Sequence, residues 1–232
     1  ADMENLQQDV LSLPARRLVA LLKERCPSTP LARKALEMLR TWDFILSPGS
    51  GTAAIYVTWE NALLENLRNI LVPEAARSLL RELPLHKAIG WLEKPDSRFG
   101  SSPEAERDRL LLSSLEQAVT VLVERLGPEP GTWRYGDPGF HHVRISHPLS
   151  GGLRDDLRQK FDLGPVPRGG NGDTVNNTSG GDNQTGGATF RIIADLADWD
   201  LSVGTNAPGQ SGDPDNPHYS DLFLPWAEGQ YF

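Results

Sequence analysis

A glycine-rich segment in the second half of the chain holds the residues that are best suited to chemistry. It spans residues 169–177 and reads GGNGDTVNN. Because glycine has no Cβ, the backbone of such a segment can approach another chain or a ligand closely. The carboxylate of Asp173 could orient a histidine or accept amide hydrogens. The same composition is typical of a turn-rich surface loop, and composition alone favours that alternative.

Other polar clusters give weaker signals. Alternation over residues 140–147 places His141 and His147 on one strand face, which is more typical of packing and hydrogen bonding than of a metal site. Asp213-Pro214-Asp215 has two carboxylates but lacks the glycine and the bidentate glutamate of a calcium loop. His218-Tyr219 is interpreted as structural, holding the C-terminal segment in place. We therefore predict no metal or cofactor site in this chain.

General catalytic motifs and several classes of partner are excluded by the sequence. There is no GxSxG, Walker A, HExxH or GxGxxG motif at a suitable position. The 232 residues carry 23 Lys and Arg against 31 Asp and Glu, and this net charge of −8 argues against a nucleic-acid or anionic-membrane partner. No apolar run reaches the length of about 20 residues that a membrane span needs. The single cysteine, Cys26, cannot form an internal disulfide.

The sequence patterns that surround these residues predict an α+β fold. It has a helical region, 1–130, and a strand and long-loop region, 131–232. Proline and cap signals indicate helices after Pro14, from Thr29-Pro30, and from Pro103 to Leu126 with Ser102 as its cap. The periodicity predicts a further helix over 52–70, and Pro73 and Pro84 precede two shorter candidates. The second region alternates with period two over 140–147 and is β-rich over 189–196. Residues 169–187 contain almost no large apolar residue, so we expect no regular structure there.

Taken in order, ten short stretches resemble the C-terminal part of the penicillin acylase family, and together they extend along essentially the whole chain. They are residues 6–10, 42–43, 52–59, 133–136, 147–149, 169–176, 190–196, 208–212, 218–219 and 226–229. The resemblance implies an N-terminal-nucleophile hydrolase of αββα architecture that cleaves an acyl amide bond through an acyl-enzyme. In that family a serine supplies both the nucleophilic hydroxyl and, through its α-amino group, the base.

The resemblance also implies where the missing parts lie. The chain starts at Ala1, which has no hydroxyl, so we expect the nucleophile, the oxyanion hole and the family's calcium site upstream, and we expect the isolated chain to be inactive. The partners implied are the α chain, the N-terminal part of the β chain and a small acyl-amide substrate. The location implied is the periplasm or the cell exterior.

One site residue is carried over by the resemblance. Some family members pair a histidine near the nucleophile with a carboxylate in the loop that matches residues 172–176. Asp173 is the matching residue, although it is shorter than the glutamate expected there. The competing reading is a non-enzymatic binding or scaffold module, which has no reason to carry the ordered motifs. The acyl group stays open between β-lactam side chains, acyl-homoserine lactones and other amides.

Overall fold

The computed structural model describes residues 2–80 and 82–232, and they form an α+β fold, as predicted. The helices are α1 (Asp2–Gln7), α2 (Leu13–Ala20), α3 (Pro30–Arg40), α4 (Gly51–Leu71), α5 (Leu85–Glu93), α6 (Pro103–Leu126), α7 (Asp155–Phe161) and α8 (Phe223–Ala227). The strands are β1 (His142–Ile145), β2 (Leu163–Pro167), β3 (Thr178–Ser179), β4 (Gly186–Gly187), β5 (Arg191–Ile193) and β6 (Val203–Thr205).

The chain divides into two compact units. A helical unit comprises the described residues of 12–45 and 50–134, and a mixed unit comprises those of 1–11, 46–49 and 135–232. The helical unit therefore contains α2–α6, and the mixed unit contains α1, α7, α8 and all six strands. The glycine-rich segment belongs to the mixed unit.

Helices α4 and α6 form the centre of the helical unit and pack along each other. The indole Nε1 of Trp59 donates a hydrogen bond of 3.1 Å to the backbone oxygen of Leu111, which ties the two helices together. Further side chains from both helices are fully buried, and each contributes roughly 1.5–3 kcal/mol through burial. They include Ile55, Leu63, Leu67, Leu115 and Leu122.

Three helices, α2, α3 and α4, begin at a residue whose side chain caps the helix. The side chains of Ser12, Thr29 and Ser50 each accept a hydrogen bond from the backbone N–H three residues later. Ser102 was predicted to cap α6 in the same way, but its side chain makes no capping bond. The start of α6 instead has Pro103 in the first turn, followed by acidic side chains that face the positive end of the helix dipole.

Three separate two-stranded antiparallel sheets make up the strands of the mixed unit: β1 with β2, β3 with β4, and β5 with β6. A small apolar core lies beside the first sheet and consists of Val143, Phe223 and Trp226. Partly buried Leu163 and Val166 of β2 pack against this core. The strands are shorter than predicted, since the alternating segment 140–147 is a strand only at His142–Ile145.

The prediction of no regular structure over 169–187 is wrong for four residues. Thr178 pairs with Gly187 and Ser179 with Gly186, which forms β3 and β4. The hydrogen bonds between β3 and β4 join backbone groups only. The two strands can therefore pair although this segment has almost no large apolar side chains. Gly187 has a φ of +107°, and a Cβ there would lie 2.1 Å from the backbone oxygen of Asn177, so glycine is required.

The second half also contains helices that the sequence analysis did not identify. Helix α7 has Asp155 and Asp156 in its first turn and Arg158 and Lys160 in its last, a charge order that favours the helix dipole. Among the described residues, no helix is both long enough and apolar enough to cross a membrane.

Candidate functional site

The glycine-rich segment, residues 169–177, is a closed loop whose polar groups bond to one another. The N–H of Asn171 donates to the hydroxyl of Thr174 at 3.1 Å, and the N–H of Asp173 donates to Oδ1 of Asn171 at 2.9 Å. The Thr174 hydroxyl lies 3.0 Å from the backbone oxygen of Asn176, to which it donates. Gly170, with a φ of +74°, makes the turn into this loop. These bonds fix the backbone on both sides of Asp173.

Asp173 lies at the exposed tip of the loop. Its backbone N–H is bonded, but within residues 2–80 and 82–232 its carboxylate accepts no hydrogen bond, from backbone or from histidine. The surrounding loop atoms remove part of its water and raise the pKa of the carboxyl above its ordinary value. The loop therefore presents a carboxylate that is held in place by its backbone and is open to a partner. The role of Asp173 beside a histidine stays a prediction.

His141, directly before β1, fixes the entry to the loop. Its Nδ1 lies 2.6 Å from the backbone oxygen of Arg168, and its Nε2 lies 2.9 Å from the hydroxyl of Tyr135. The Tyr135 hydroxyl is also 2.8 Å from the backbone oxygen of Gly170, and the Tyr135 and His141 rings stack with centroids 4.0 Å apart. Burial, the largest cause, lowers the pKa of His141 to about 4. The imidazole is therefore neutral at pH 7 and has a structural role here.

His141 and His147 do not form a pair in the structure. The ring of His147 packs against Phe161 with centroids 5.0 Å apart, and its backbone N–H donates to Asp162. The described part of the chain contains no group of three or more His, Cys, Asp or Glu side chains arranged to hold a metal ion.

His218 and Tyr219 have separate contacts. The imidazole of His218 is exposed and bonds to Asp221 at 2.7 Å. Tyr219 donates to the backbone oxygen of Phe161 at 2.7 Å and so ties the segment around it to α7. A tethering function thus fits Tyr219.

A buried pair of arginines, which the sequence analysis missed, lies beside the loop. We call Arg168 and Arg191 the guanidinium pair. Their exposed fractions are 4% and 5%, and Nη2 of Arg168 and Nη1 of Arg191 each lie 3.3 Å from Oδ1 of Asn176. Arg191 also donates to Gln8 Oε1 at 3.1 Å and to the backbone oxygen of Trp226 at 2.8 Å. The only signal in the sequence was the position of the two arginines, one on each side of the glycine-rich segment.

Comparison with known families supports the resemblance seen in the motifs. The family model described as penicillin amidase matches residues 1–232, so the chain belongs to the penicillin amidase family. This match includes the glycine-rich segment, the guanidinium pair and the His141 contacts.

Relatives within the family are longer proteins. The chain is 29% identical over 247 residues to the acyl-homoserine lactone acylase QuiP of Pseudomonas aeruginosa, a match that covers 95% of this chain and 29% of that protein. It is 29% identical over 208 residues to the penicillin acylase 2 proenzyme of Pseudomonas sp. strain SE83, covering 85% of this chain and 26% of that protein. The chain thus spans less than a third of the length of these relatives.

A solved structure shares the fold. The thermostable penicillin G acylase from Alcaligenes faecalis matches 100% of this chain and 45% of its own chain, with a TM-score of 0.54 and 18% sequence identity. The α+β arrangement described above is therefore that of part of a penicillin acylase chain.

Proposed function

We propose that this chain is the C-terminal part of the β chain of a penicillin-acylase-like hydrolase that cleaves linear acyl amides. The observation that carries the proposal is the family match over residues 1–232, combined with a coverage of only 29% and 26% of two relatives. Both relatives are named as acylases, one for an acyl-homoserine lactone and one for a penicillin. Cleavage of an acyl amide is the reaction that these names share.

In the proposed mechanism, polypeptide outside residues 1–232 supplies a serine at the start of the β chain. Its hydroxyl attacks the amide carbonyl while its own α-amino group takes the proton; that proton passes to the amine as the C–N bond breaks, which leaves an acyl-enzyme. Water then hydrolyses the ester, which releases the acid and returns the serine hydroxyl. Hydrogen-bond donors outside residues 1–232 stabilise the oxyanion at each tetrahedral stage. We propose the periplasm or the cell exterior as the location, and the α chain and the N-terminal part of the β chain as partners.

This chain contributes a positioning carboxylate to that mechanism. The backbone around Asp173 is fixed by bonds within the loop, while its carboxylate is left open to a partner. We propose that this carboxylate accepts a hydrogen bond from a histidine near the serine. Such a contact would set the orientation of the histidine.

Intact mass of the protein from its native source tests the proposal. We expect a precursor several hundred residues longer than this chain, or a mature chain that begins with Ser and contains residues 1–232. That complete protein should hydrolyse phenylacetyl amides or acyl-homoserine lactones, and replacing the first Ser by Ala should abolish turnover. The purified 232-residue chain should show none, because removing such a nucleophile costs several orders of magnitude in rate.

A native protein that consists of residues 1–232 alone, with no companion chain, would contradict the proposal. Hydrolysis by the complete protein that survives the Ser→Ala change would contradict the mechanism while leaving the family assignment intact.

A further inference from the structure

We propose that the guanidinium pair, Arg168 and Arg191, binds the carboxylate of an Asp or Glu side chain from a part of the complete protein outside residues 1–232. The proposal rests on the proposed function, because it requires a longer protein. It adds a specific contact by which the rest of that protein holds the glycine-rich loop.

The guanidinium pair carries two buried positive charges for which the described residues provide no counter-ion. Each described acceptor is neutral: the amide oxygens of Asn176 and Gln8 and the backbone oxygen of Trp226. Neither guanidinium group forms an ion pair with a described carboxylate. Burying a charge is costly unless it is paired, so a carboxylate is the group that this site lacks.

Both arginines have N–H donors without a described acceptor. Nε of Arg168 and Nε of Arg191 are buried and bond to no described acceptor. Nη1 of Arg168 also donates to no described atom. Unlike the two Nε atoms, it is not fully buried. A carboxylate accepts strong hydrogen bonds from guanidinium donors, so Nη1 of Arg168, which has no described acceptor, is the donor it can contact.

The positive charge of Arg168 persists at neutral pH. Burial, and next the nearby charge of Arg191, lower the pKa of Arg168 to about 10. Both side chains also face the indole of Trp226, with Cζ atoms 4.5 and 5.8 Å from the ring centroid. The aromatic face reduces the cost of the charges but supplies no hydrogen-bond acceptor.

The occupant is a side chain of the same protein rather than an exchanging solute. Exposed fractions of 4% and 5% mean that this chain already covers most of both side chains, so an occupant can reach only the small exposed part of the pair and has to be held there by its own chain. The relatives contain more than twice as much polypeptide outside the matched region as inside it. That polypeptide can cover the pair permanently when the complete protein folds.

The consequence for the loop follows from Asn176. Its Oδ1 accepts from both arginines, and its backbone oxygen accepts from Thr174 inside the loop. A carboxylate on the guanidinium pair would therefore fix Asn176 and, three residues away, the backbone of Asp173. The site would couple assembly of the complete protein to the position of the loop.

The direct test is a structure of the complete protein. We expect a carboxylate oxygen from outside residues 1–232 within about 3 Å of a nitrogen of Arg168 or Arg191. A pair whose nearest additional acceptors are only waters or backbone oxygens would overturn the proposal. The two proposals fail in different ways. If the complete protein is active but has no carboxylate at the guanidinium pair, only this inference is refuted. If the native protein consists of residues 1–232 alone, the proposed function is refuted as well.

A double-mutant cycle in the complete protein gives a second test. Arg168→Met and the acid→amide change at the identified partner should each lower the folding equilibrium constant by about 100-fold or more. The double variant should be at least as stable as the less stable of the two single variants, because the second change removes a charge that the first change left unpaired. Arg154→Met is the matched control and should have little effect, since Arg154 is exposed and, among the described residues, pairs only with Asp156. Additive losses at Arg168 and the partner would overturn the proposal, and if Arg168→Met does not fold, the structure still decides.

Discussion

Nδ1 of His141 lies 2.6 Å from the backbone oxygen of Arg168. A carbonyl oxygen can only accept, so the proton of the neutral imidazole is assigned to Nδ1, and Nε2 is left to accept from the Tyr135 hydroxyl. The Tyr135 hydroxyl has a single proton, which it shares between Nε2 of His141 and the backbone oxygen of Gly170, 2.8 Å away. His141 and Tyr135 therefore hold the two residues that flank Gly169, at the start of the loop that carries Asp173.

We expect the free energy of unfolding of the chain to decrease as the pH is lowered from 6.5 to 4, because of His141. Its pKa is about 4 in the folded chain, mainly through burial, and near 6.5 in the unfolded chain. As the pH falls below 6.5 the unfolded state takes up the proton first, so this stabilisation is full above pH 6.5 and is lost toward pH 4. The gap corresponds to about 3 kcal/mol. Urea unfolding at a series of pH values measures it.

The controls separate His141 from the carboxylates that also titrate in acid. His141→Gln should reduce the pH dependence between 6.5 and 5, whereas His86→Gln, at an exposed position in α5, should not. An NMR titration of the His141 ring gives its pKa directly, and a value near 6.5 would contradict this account.

We expect Gly170→Ala to destabilise the mixed unit by about 1–3 kcal/mol. Gly170 has a φ of +74°, and a Cβ there would lie 2.5 Å from the backbone oxygen of Asn176 and 2.8 Å from the Thr174 hydroxyl. The loop would have to open to admit the methyl group. Urea unfolding compared with the unsubstituted chain measures the cost.

Gly172→Ala is the matched control for the loop. A Cβ at Gly172 meets nothing within 4 Å, and the backbone there is not left-handed, so we expect a change within about 0.5 kcal/mol. Equal effects at the two glycines would show that the loop is not held as described.

We expect the purified 232-residue chain to self-associate through the segment that contains β5 and β6. Large apolar side chains are exposed there, including Ile192, Leu196, Trp199 and Leu201, whose exposed fractions are 55%, 81%, 71% and 64%. An exposed apolar patch of this kind marks a site of association between chains. Sedimentation velocity over a range of concentrations should show a rising average mass.

Charge at this segment should reverse the association. Leu196→Lys with Trp199→Lys should shift the chain toward monomer, while Leu79→Lys, at a position that is 87% exposed in the helical unit, should leave the mass distribution unchanged. A chain that stays monomeric at high concentration without any substitution would contradict the prediction.

Local signals were sufficient for the helices and insufficient for the site. The proline and cap at Thr29-Pro30 define the start of α3, because capping depends on neighbouring residues only. The guanidinium pair could not be predicted in this way, since Arg191 is buried through contacts with Gln8, 183 residues away along the chain. In the sequence alone, Arg168 and Arg191 look like ordinary surface charges. Asp173 was identified through the family motif, and its open carboxylate became visible only in the folded loop.

In the complete enzyme we expect Asp173→Asn to lower kcat by about 10- to 100-fold, the scale known for groups that orient metal ligands and used here as an analogy. The reason is that an amide accepts a hydrogen bond from histidine less strongly than a carboxylate and does not stabilise its positive charge. The unfolding midpoint of the isolated 232-residue chain should not change, because the carboxylate bonds to none of the described residues. Steady-state kinetics with a chromogenic acyl amide, together with thermal unfolding, measure both effects.

Two further variants distinguish a role of Asp173 in orienting the histidine from a role in ordering its own loop. Asp173→Glu keeps the charge and has the longer side chain that the family motif leads us to expect, so it should retain most of kcat. Asp200→Asn removes another exposed carboxylate of the mixed unit and should be neutral. The pH profile of kcat should move in Asp173→Asn and in neither of the others, because only that change alters the pKa of the partner histidine. Normal kcat and an unchanged pH profile in Asp173→Asn would rule out the positioning role.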